Sequence, residues 1–240
     1  MRVLVTRPEA DAAPLAAELA ACGHQALMEP LLTIIPDQDA VVDLTGVQAL
    51  VLTSANGARV LAGRTERRDL PVFAVGDATA AAARVAGFLQ VESAGGDVGD
   101  LAALVAARLD PDAGPVFHPA ARQLAGDLKG RLEAAGFTVR RSVLYRAETA
   151  KDFSTETRSA LRDGRIDAVL FFSPRTGCTF ARLASESKLT AACGRVFAVC
   201  ISPAVADMIE RLPWRALRIA AQPTQTALLD SLAACKGPGD

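Results

Sequence analysis

Two stretches of this chain carry small polar residues where an apolar run gives way to other sequence. Thr53-Ser-Ala-Asn56 comes after Ala49 to Leu52, and Ser173-Pro-Arg175 comes after Ala168 to Phe172. Related places are Val75-Gly-Asp-Ala-Thr79, Val199-Cys-Ile-Ser202 and the opening run Arg2 to Thr6 with Arg7. Where a strand ends and a helix begins, backbone N–H groups and the positive end of the helix dipole converge, and the chemistry they suit is anion binding. The residues placed for it are Ser54, Ala55, Asn56, Gly76 and Thr79 in one group, and Thr6, Arg7, Ser173, Pro174, Arg175 and Ser202 in the other. By residue type alone, each Ser, Thr or Asn serves as an ordinary helix cap and each Arg as a solvated charge. Their position just past strand C-termini is what argues for a ligand. The single tyrosine, Tyr145, ends a strand candidate, a common place for an amphipathic core-to-surface side chain.

The elements that must position these residues alternate along the chain. Strand candidates are Arg2 to Thr6, Gln25 to Met28, Ala49 to Leu52, Val72 to Val75, Leu89 to Glu92, Pro115 to Phe117 and Thr138 to Leu144. Ala168 to Phe172, Val196 to Val199 and Leu217 to Ala220 continue the series. Helix-compatible segments fill the intervals. Glu9 to Ala21 places Leu15 and Leu19 on one face and stops at Gly23, while Gln123 to Ala135 places Leu124, Leu128 and Leu132 on one stripe before Gly136. Strands separated by helix-length segments pair in parallel through right-handed crossovers, so the fold class is α/β.

Leu31-Leu-Thr-Ile-Ile-Pro36 and Leu144-Tyr-Arg-Ala-Glu-Thr149 fit inside neither half and read as paired linkers. The chain is expected to leave a first lobe early, build a second and return, with residues 1–35 and 149–240 in lobe 1 and residues 36–148 inserted as lobe 2. The two rims then face one cleft.

Composition narrows the function. With 26 basic and 27 acidic residues and a formal charge of -1, no general attraction to nucleic acid or membrane is expected, so an anion must be held by local groups. The five cysteines form no C-x-x-C pair and read as reduced thiols, which fits the cytoplasm. A metal site is not expected, since His24 and His118 are the only histidines and no cysteine pair has metal-ligand spacing. His118 follows a strand candidate, a position from which it can face the cleft, but such a histidine is ordinarily a loop residue without a ligand, and it stands outside the catalytic set. Cys200 is expected to be buried as a small hydrophobe. Gly76 belongs to no G-x-G-x-x-G and there is no P-loop, so a nucleotide site is unsupported. No stretch has the length of a membrane span.

Val3-Leu-Val-Thr-Arg-Pro-Glu, Thr53-Ser-Ala-Asn, Val75-Gly-Asp-Ala-Thr-Ala, Leu144-Tyr-Arg and Phe172-Ser-Pro-Arg, in this order and spacing, resemble the uroporphyrinogen-III synthase family. The resemblance implies two flavodoxin-like lobes with parallel sheets, joined by a two-stranded linker, with the active cleft between them. It implies a lyase that needs no cofactor and acts on hydroxymethylbilane, a linear tetrapyrrole polycarboxylate. That substrate is closed to uroporphyrinogen III with inversion of ring D and loss of water. It also implies that Tyr145 assists departure of the substrate hydroxyl as general acid. A phenol with an ordinary pKa of about 10 stays protonated at neutral pH and can donate to that oxygen. A cytoplasmic monomer in heme biosynthesis is the corresponding expectation. The sequence departs from the family pattern at Val199-Cys-Ile-Ser-Pro-Ala204 and at His118-Pro119, where glycine, threonine and arginine are common. Either other groups hold the substrate there or this is a weakened copy. The rival reading, from another class, is a noncatalytic two-lobed protein that closes on a small anionic ligand.

Overall fold

Parallel pairing through helical crossovers governs almost every connection in the chain. A computed structural model describes residues 1–123 and 126–235. In chain order its first elements are β1 (Arg2–Val5), α1 (Glu9–Ala21), β2 (Gln25–Met28) and β3 (Leu32–Pro36). Then come β4 (Ala49–Leu52), α2 (Ala55–Ala62), β5 (Val72–Ala74), α3 (Asp77–Val85), β6 (Val91–Ser93) and α4 (Val98–Arg108). They are followed by β7 (Val116–Ala121), α5 (Leu128–Ala134) and β8 (Val139–Thr149). The last elements are α6 (Thr155–Arg162), β9 (Ala168–Phe171), α7 (Pro174–Glu186), β10 (Phe197–Cys200), α8 (Pro203–Ala206), β11 (Ala216–Ile219) and α9 (Gln225–Ala233).

The chain divides into one unit of Met1–Thr33 with Glu148–Asp240 and a second of Ile34–Ala147. The first holds a five-stranded sheet in the order β11-β10-β9-β1-β2, the second a six-stranded sheet in the order β3-β8-β7-β4-β5-β6. The ladders β1–β2, β1–β9, β9–β10, β10–β11, β4–β5, β4–β7, β5–β6 and β7–β8 are all parallel. Both unit boundaries fall inside strands that neighbour each other, β3 and β8. The chain thus passes from one unit to the other within regular structure.

Each sheet buries both faces, as parallel sheets must. In the first unit Val3, Val5 and Leu170 pack with Leu15 and Leu19 of α1 and Leu228 of α9, while Leu4, Val169 and Phe171 pack with Phe180 and Leu183 of α7. In the second, Leu50 and Leu52 meet Ala58 and Leu61 of α2, while Ala49 and Val51 meet Leu101 of α4 and Leu128 of α5. The alternation of neighbours along β1 and β4 follows directly from the two-residue side-chain period.

Strand order sets where ligands can enter. Going outward from β1, the first unit winds to β2 on one side and to β9 on the other, the order 2-1-3-4-5 when its strands are counted in sequence. Its winding therefore reverses between β1 and β9. Counted from β4, the second unit's parallel strands run 3-2-1-4-5, and its winding reverses between β4 and β7. At such a switch point the adjacent crossovers diverge to opposite faces and leave a crevice beyond the strand C-termini.

Two local expectations change. The helix expected over 123–135 begins at Leu128, because Gly126 has φ +116 and Asp127 caps the helix by accepting from Gly130 N at 2.9 Å. Leu124 lies outside the described residues. The strand expected to end at Leu144 continues as one β8 to Thr149.

Glu29 and Ser154 tie the returning chain to the first unit. The buried Glu29 carboxylate accepts from Ser154 N at 3.0 Å and from Ser154 Oγ at 2.6 Å, and the same hydroxyl caps α6 by accepting from Thr157 N. Ser154→Ala removes a cap and one hydrogen bond to a buried carboxylate, each worth on the order of 1–2 kcal/mol. Urea denaturation should show a loss of about 2 kcal/mol, and a loss below about 0.5 kcal/mol would mean the pair contributes little.

Candidate functional site

At the switch point of the second unit, β4 ends in Leu52 and the chain turns through Thr53 and Ser54 into α2. Ser54 is extended at φ -159 and caps α2 by accepting from Asn56 N at 3.1 Å. No acidic residue occupies the first turn of α2, so its dipole is uncompensated by a local carboxylate. Asn56 follows with its Oδ1 accepting from Arg59 at 3.1 Å, which holds the amide in one orientation. Ala55 is the first helical residue and half-buried.

Tyr145 reaches this helix start because β8 bulges. Ala120 pairs with Val143 but Ala121 pairs with Tyr145, so Leu144 is the extra residue. Consecutive strand residues normally point to opposite faces; here Leu144 and Tyr145 both join the core that packs α2. Tyr145 is only 5% exposed, and the Ser54 side chain lies near its hydroxyl. Burial pushes its pKa above the usual phenol value and the Ser54 contact partly offsets this, so the group is protonated throughout the physiological range. Gly57 lets α2 approach β7: a Cβ there would lie 3.1 Å from Pro119 O, tighter than an ordinary contact, and 3.9 Å from Tyr145 Oη, an ordinary one.

His118, expected in a loop, lies instead inside β7, 2% exposed, with Nε2 at 3.2 Å from Thr53 Oγ1. The contact bridges the two strands of the switch point. Burial, aided by the Arg141 charge, lowers the imidazole pKa to about 4. Sequence reading misses this pair because a strand-end histidine carries no local mark of a partner.

In the first unit, the ends of β1 and β9 bring Arg7 and Phe172 together. The Arg7 guanidinium carbon lies 4.3 Å from the Phe172 ring centroid, Nη1 donates to Gln225 Oε1 at 2.6 Å, and Nη2 is 3.8 Å from Asp11. Gln225 is oriented in turn, its Nε2 donating to Glu18 at 2.8 Å. Arg7 is therefore a cation held in place, and Phe172 and Gln225 are partners that sequence reading does not single out. Ser173 caps α7 by accepting from Thr176 N at 3.2 Å, Pro174 opens the helix where its missing N–H costs nothing, and Arg175 follows with its carbonyl accepting from Thr179 Oγ1.

The remaining candidates are placed differently. The Thr6 hydroxyl is not a rim group, since Thr6 is fully buried and donates to Leu170 O at 2.8 Å, closing the sheet behind the rim. Thr79 is buried in α3. Gly76 precedes α3, whose first turn carries Asp77, a carboxylate that already opposes the helix dipole and would repel another anion. Ser202 makes no side-chain cap, and α8 is only four residues long, too short for much of a dipole. Cys200 is fully buried, and burial pushes its thiol up to about 12. Two of the five candidate helix starts, at α2 and α7, thus combine a side-chain cap and an uncompensated dipole with a switch point. Among the described residues no cluster of His, Cys, Asp and Glu could hold a metal ion, and no helix is long and apolar enough to cross a membrane.

Comparison with known proteins decides the family. The profile of the family described as Uroporphyrinogen-III synthase HemD matches residues 13–230. The chain belongs to the uroporphyrinogen-III synthase family. Among solved structures it is similar to the crystal structure of uroporphyrinogen-III synthetase from Helicobacter pylori 26695, with 16% identity, 98% of this chain and 100% of that chain covered, and a TM-score of 0.65. It is also similar to a mutant uroporphyrinogen III synthase from Thermus thermophilus, with 18% identity, 98% of both chains covered and a TM-score of 0.53. At these identities the structures establish the shared fold. No curated protein matches the sequence. The chain is thus an α/β enzyme of porphyrin biosynthesis, which favours the synthase reading over the noncatalytic one.

Gly57 and His118 each give this synthase-family chain a measurable sensitivity. Gly57→Ala should displace Pro119 O, beside His118, by a few tenths of an ångström, and a displacement of that kind near a substrate site costs turnover. Uroporphyrinogen III formation should fall by about tenfold in a folded variant; full activity would mean that the backbone at Pro119 absorbs the shift. For His118 the variable is pH. It binds no proton until about pH 4 when folded but titrates near 6.5 when unfolded, so its contribution is complete above pH 6.5 and is lost as pH falls towards 4. The loss is on the order of 3 kcal/mol at most. His118→Gln should flatten the stability profile in that window, and an unchanged slope would assign the acid sensitivity to other groups.

Proposed function

We propose that this chain is a cofactor-independent lyase that closes hydroxymethylbilane to uroporphyrinogen III, with inversion of ring D and loss of water. Family membership across residues 13–230 is the observation that carries the reading. We further propose that it works as a monomer in the cytoplasm, and that residues 1–35 with 149–240 and residues 36–148 are its two functional lobes.

Tyr145 is the proposed general acid. Departure of the substrate hydroxyl leaves an azafulvene, and a donor to that oxygen stabilises charge that develops only in the transition state. A buried, protonated phenol beside Ser54 suits this role, because in a low-dielectric wall its hydrogen bond to the leaving oxygen is stronger than in water and it is not titrated away. Ring D must then attack through its already substituted carbon, pass through a spiro intermediate and reclose inverted. That course is selected by holding a flexible tetrapyrrole in one folded conformation.

The substrate carboxylates supply the handles. Ser54, Ala55 and Asn56 at the start of α2, and Ser173, Pro174 and Arg175 at the start of α7, are the proposed backbone and side-chain contacts. Arg7 adds a cation whose orientation is fixed before substrate arrives, which lowers the ordering cost of binding. Gly76 and Ser202 are proposed as weaker contacts, Thr6 and Thr79 as support behind the rims.

Incubation with hydroxymethylbilane, followed by oxidation and separation of isomers, tests the reading. The type III isomer should dominate without added metal or nucleotide, and an isomer ratio equal to the enzyme-free control would overturn it. Tyr145→Phe should lower kcat by roughly 10²-fold to 10⁴-fold with little change in KM, the usual range for removing a positioned acid. Retained turnover would make Tyr145 a structural residue.

A further inference from the structure

His118 is a buried ionisable side chain at a switch point to which the mechanism gives no role. Its Nε2 lies 3.2 Å from Thr53 Oγ1, while its Nδ1 is buried with no hydrogen-bond partner. A neutral imidazole carries a single N–H. With the proton on Nδ1, a buried donor would be orphaned, the rarer and costlier outcome; with it on Nε2, only a ring lone pair is left unmatched. The proton therefore belongs on Nε2, which donates to Thr53.

This choice decides what the Thr53 hydroxyl can do. Its oxygen accepts from His118, so its own proton must point elsewhere. Thr53 is half-buried, follows β4 directly and precedes the Ser54 cap, so the hydroxyl stands at the C-terminal edge of the sheet at the switch point. Alternation along the strands puts it with Ala49 and Val51 on the α4 and α5 face, away from Tyr145. It is thus a separate contact from the Ser54–Tyr145 pair. Burial and the nearby Arg141 keep the imidazole neutral, so the donor–acceptor order does not reverse at physiological pH.

We propose that His118 is a positioning residue that fixes the Thr53 hydroxyl as a hydrogen-bond donor to a carboxylate of the tetrapyrrole substrate. The inference rests on the synthase reading for the identity of the ligand, but not for the orientation of Thr53.

Two measurements test it. The chain has only two histidines, so ¹⁵N spectra of the ring nitrogens can be assigned with a single His24 variant; His118 should be the Nε2–H tautomer at neutral pH, and an Nδ1–H tautomer would overturn the proposal. Kinetics with hydroxymethylbilane supply the second. His118→Phe should raise KM about fivefold to tenfold, as expected for one misdirected hydrogen bond, with kcat within about twofold. His118→Gln, whose amide nitrogen can donate from near the Nε2 position, should restore most of the affinity. The pair His118→Phe with Thr53→Val should have the KM of Thr53→Val alone. An unchanged KM in folded His118→Phe, or additive effects in the pair, would show that His118 only fills space. If His118→Phe does not fold, Thr53→Val and His118→Gln decide the matter: Thr53→Val should raise KM and His118→Gln should not. A wild-type chain that forms no type III isomer would fail the synthase reading itself, and the tautomer would still decide how Thr53 is held.

Discussion

Parallel strand pairing is the constraint on which the rest of the structure depends. A parallel neighbour cannot be reached by a tight turn, so a crossover helix follows each strand that leads to a parallel partner, and those helix starts gather at one edge of each sheet. That edge collects N–H groups and positive dipole ends as a consequence of connectivity. Where the winding reverses, between β1 and β9 and between β4 and β7, it also opens a crevice. The chain has invested its most specific side-chain contacts in those two places, Arg7 with Phe172 and Thr53 with His118.

The helix starts are not equivalent, although they resemble one another in sequence. A capping hydroxyl commits its oxygen to the helix, as Ser54 and Ser173 do, and what remains for a ligand is the backbone and the dipole. Asp77 neutralises that advantage at α3, and the shortness of α8 removes it near Ser202. Reactive groups are needed only where a bond breaks.

Tyr145 shows how a small irregularity changes chemistry. Were Leu144 paired regularly with Ala121 instead of bulged, the alternation of β8 would send the phenol to the opposite face of the sheet. The bulge turns it into the core beside α2, where burial holds it protonated next to Ser54.

By itself the sequence determined the local part of this protein. The α/β alternation, the limits of α1 from Glu9 to Ala21, the strand Ala49 to Leu52, and the hydroxyl residues at Ser54 and Ser173 were legible because hydrophobic period and capping chemistry act between near neighbours. Family membership was legible in the ordered motifs. The late start of α5, the bulge at Leu144 and the short α8 were not, since each depends on how a segment meets its neighbours in space. The partners of the site residues lay still further beyond reach: Arg7 meets Gln225 across 218 positions, and Thr53 meets His118 across 65. Such pairs exist only once strand order is set, and strand order comes from packing helices on both faces of a twisted sheet rather than from any local pattern.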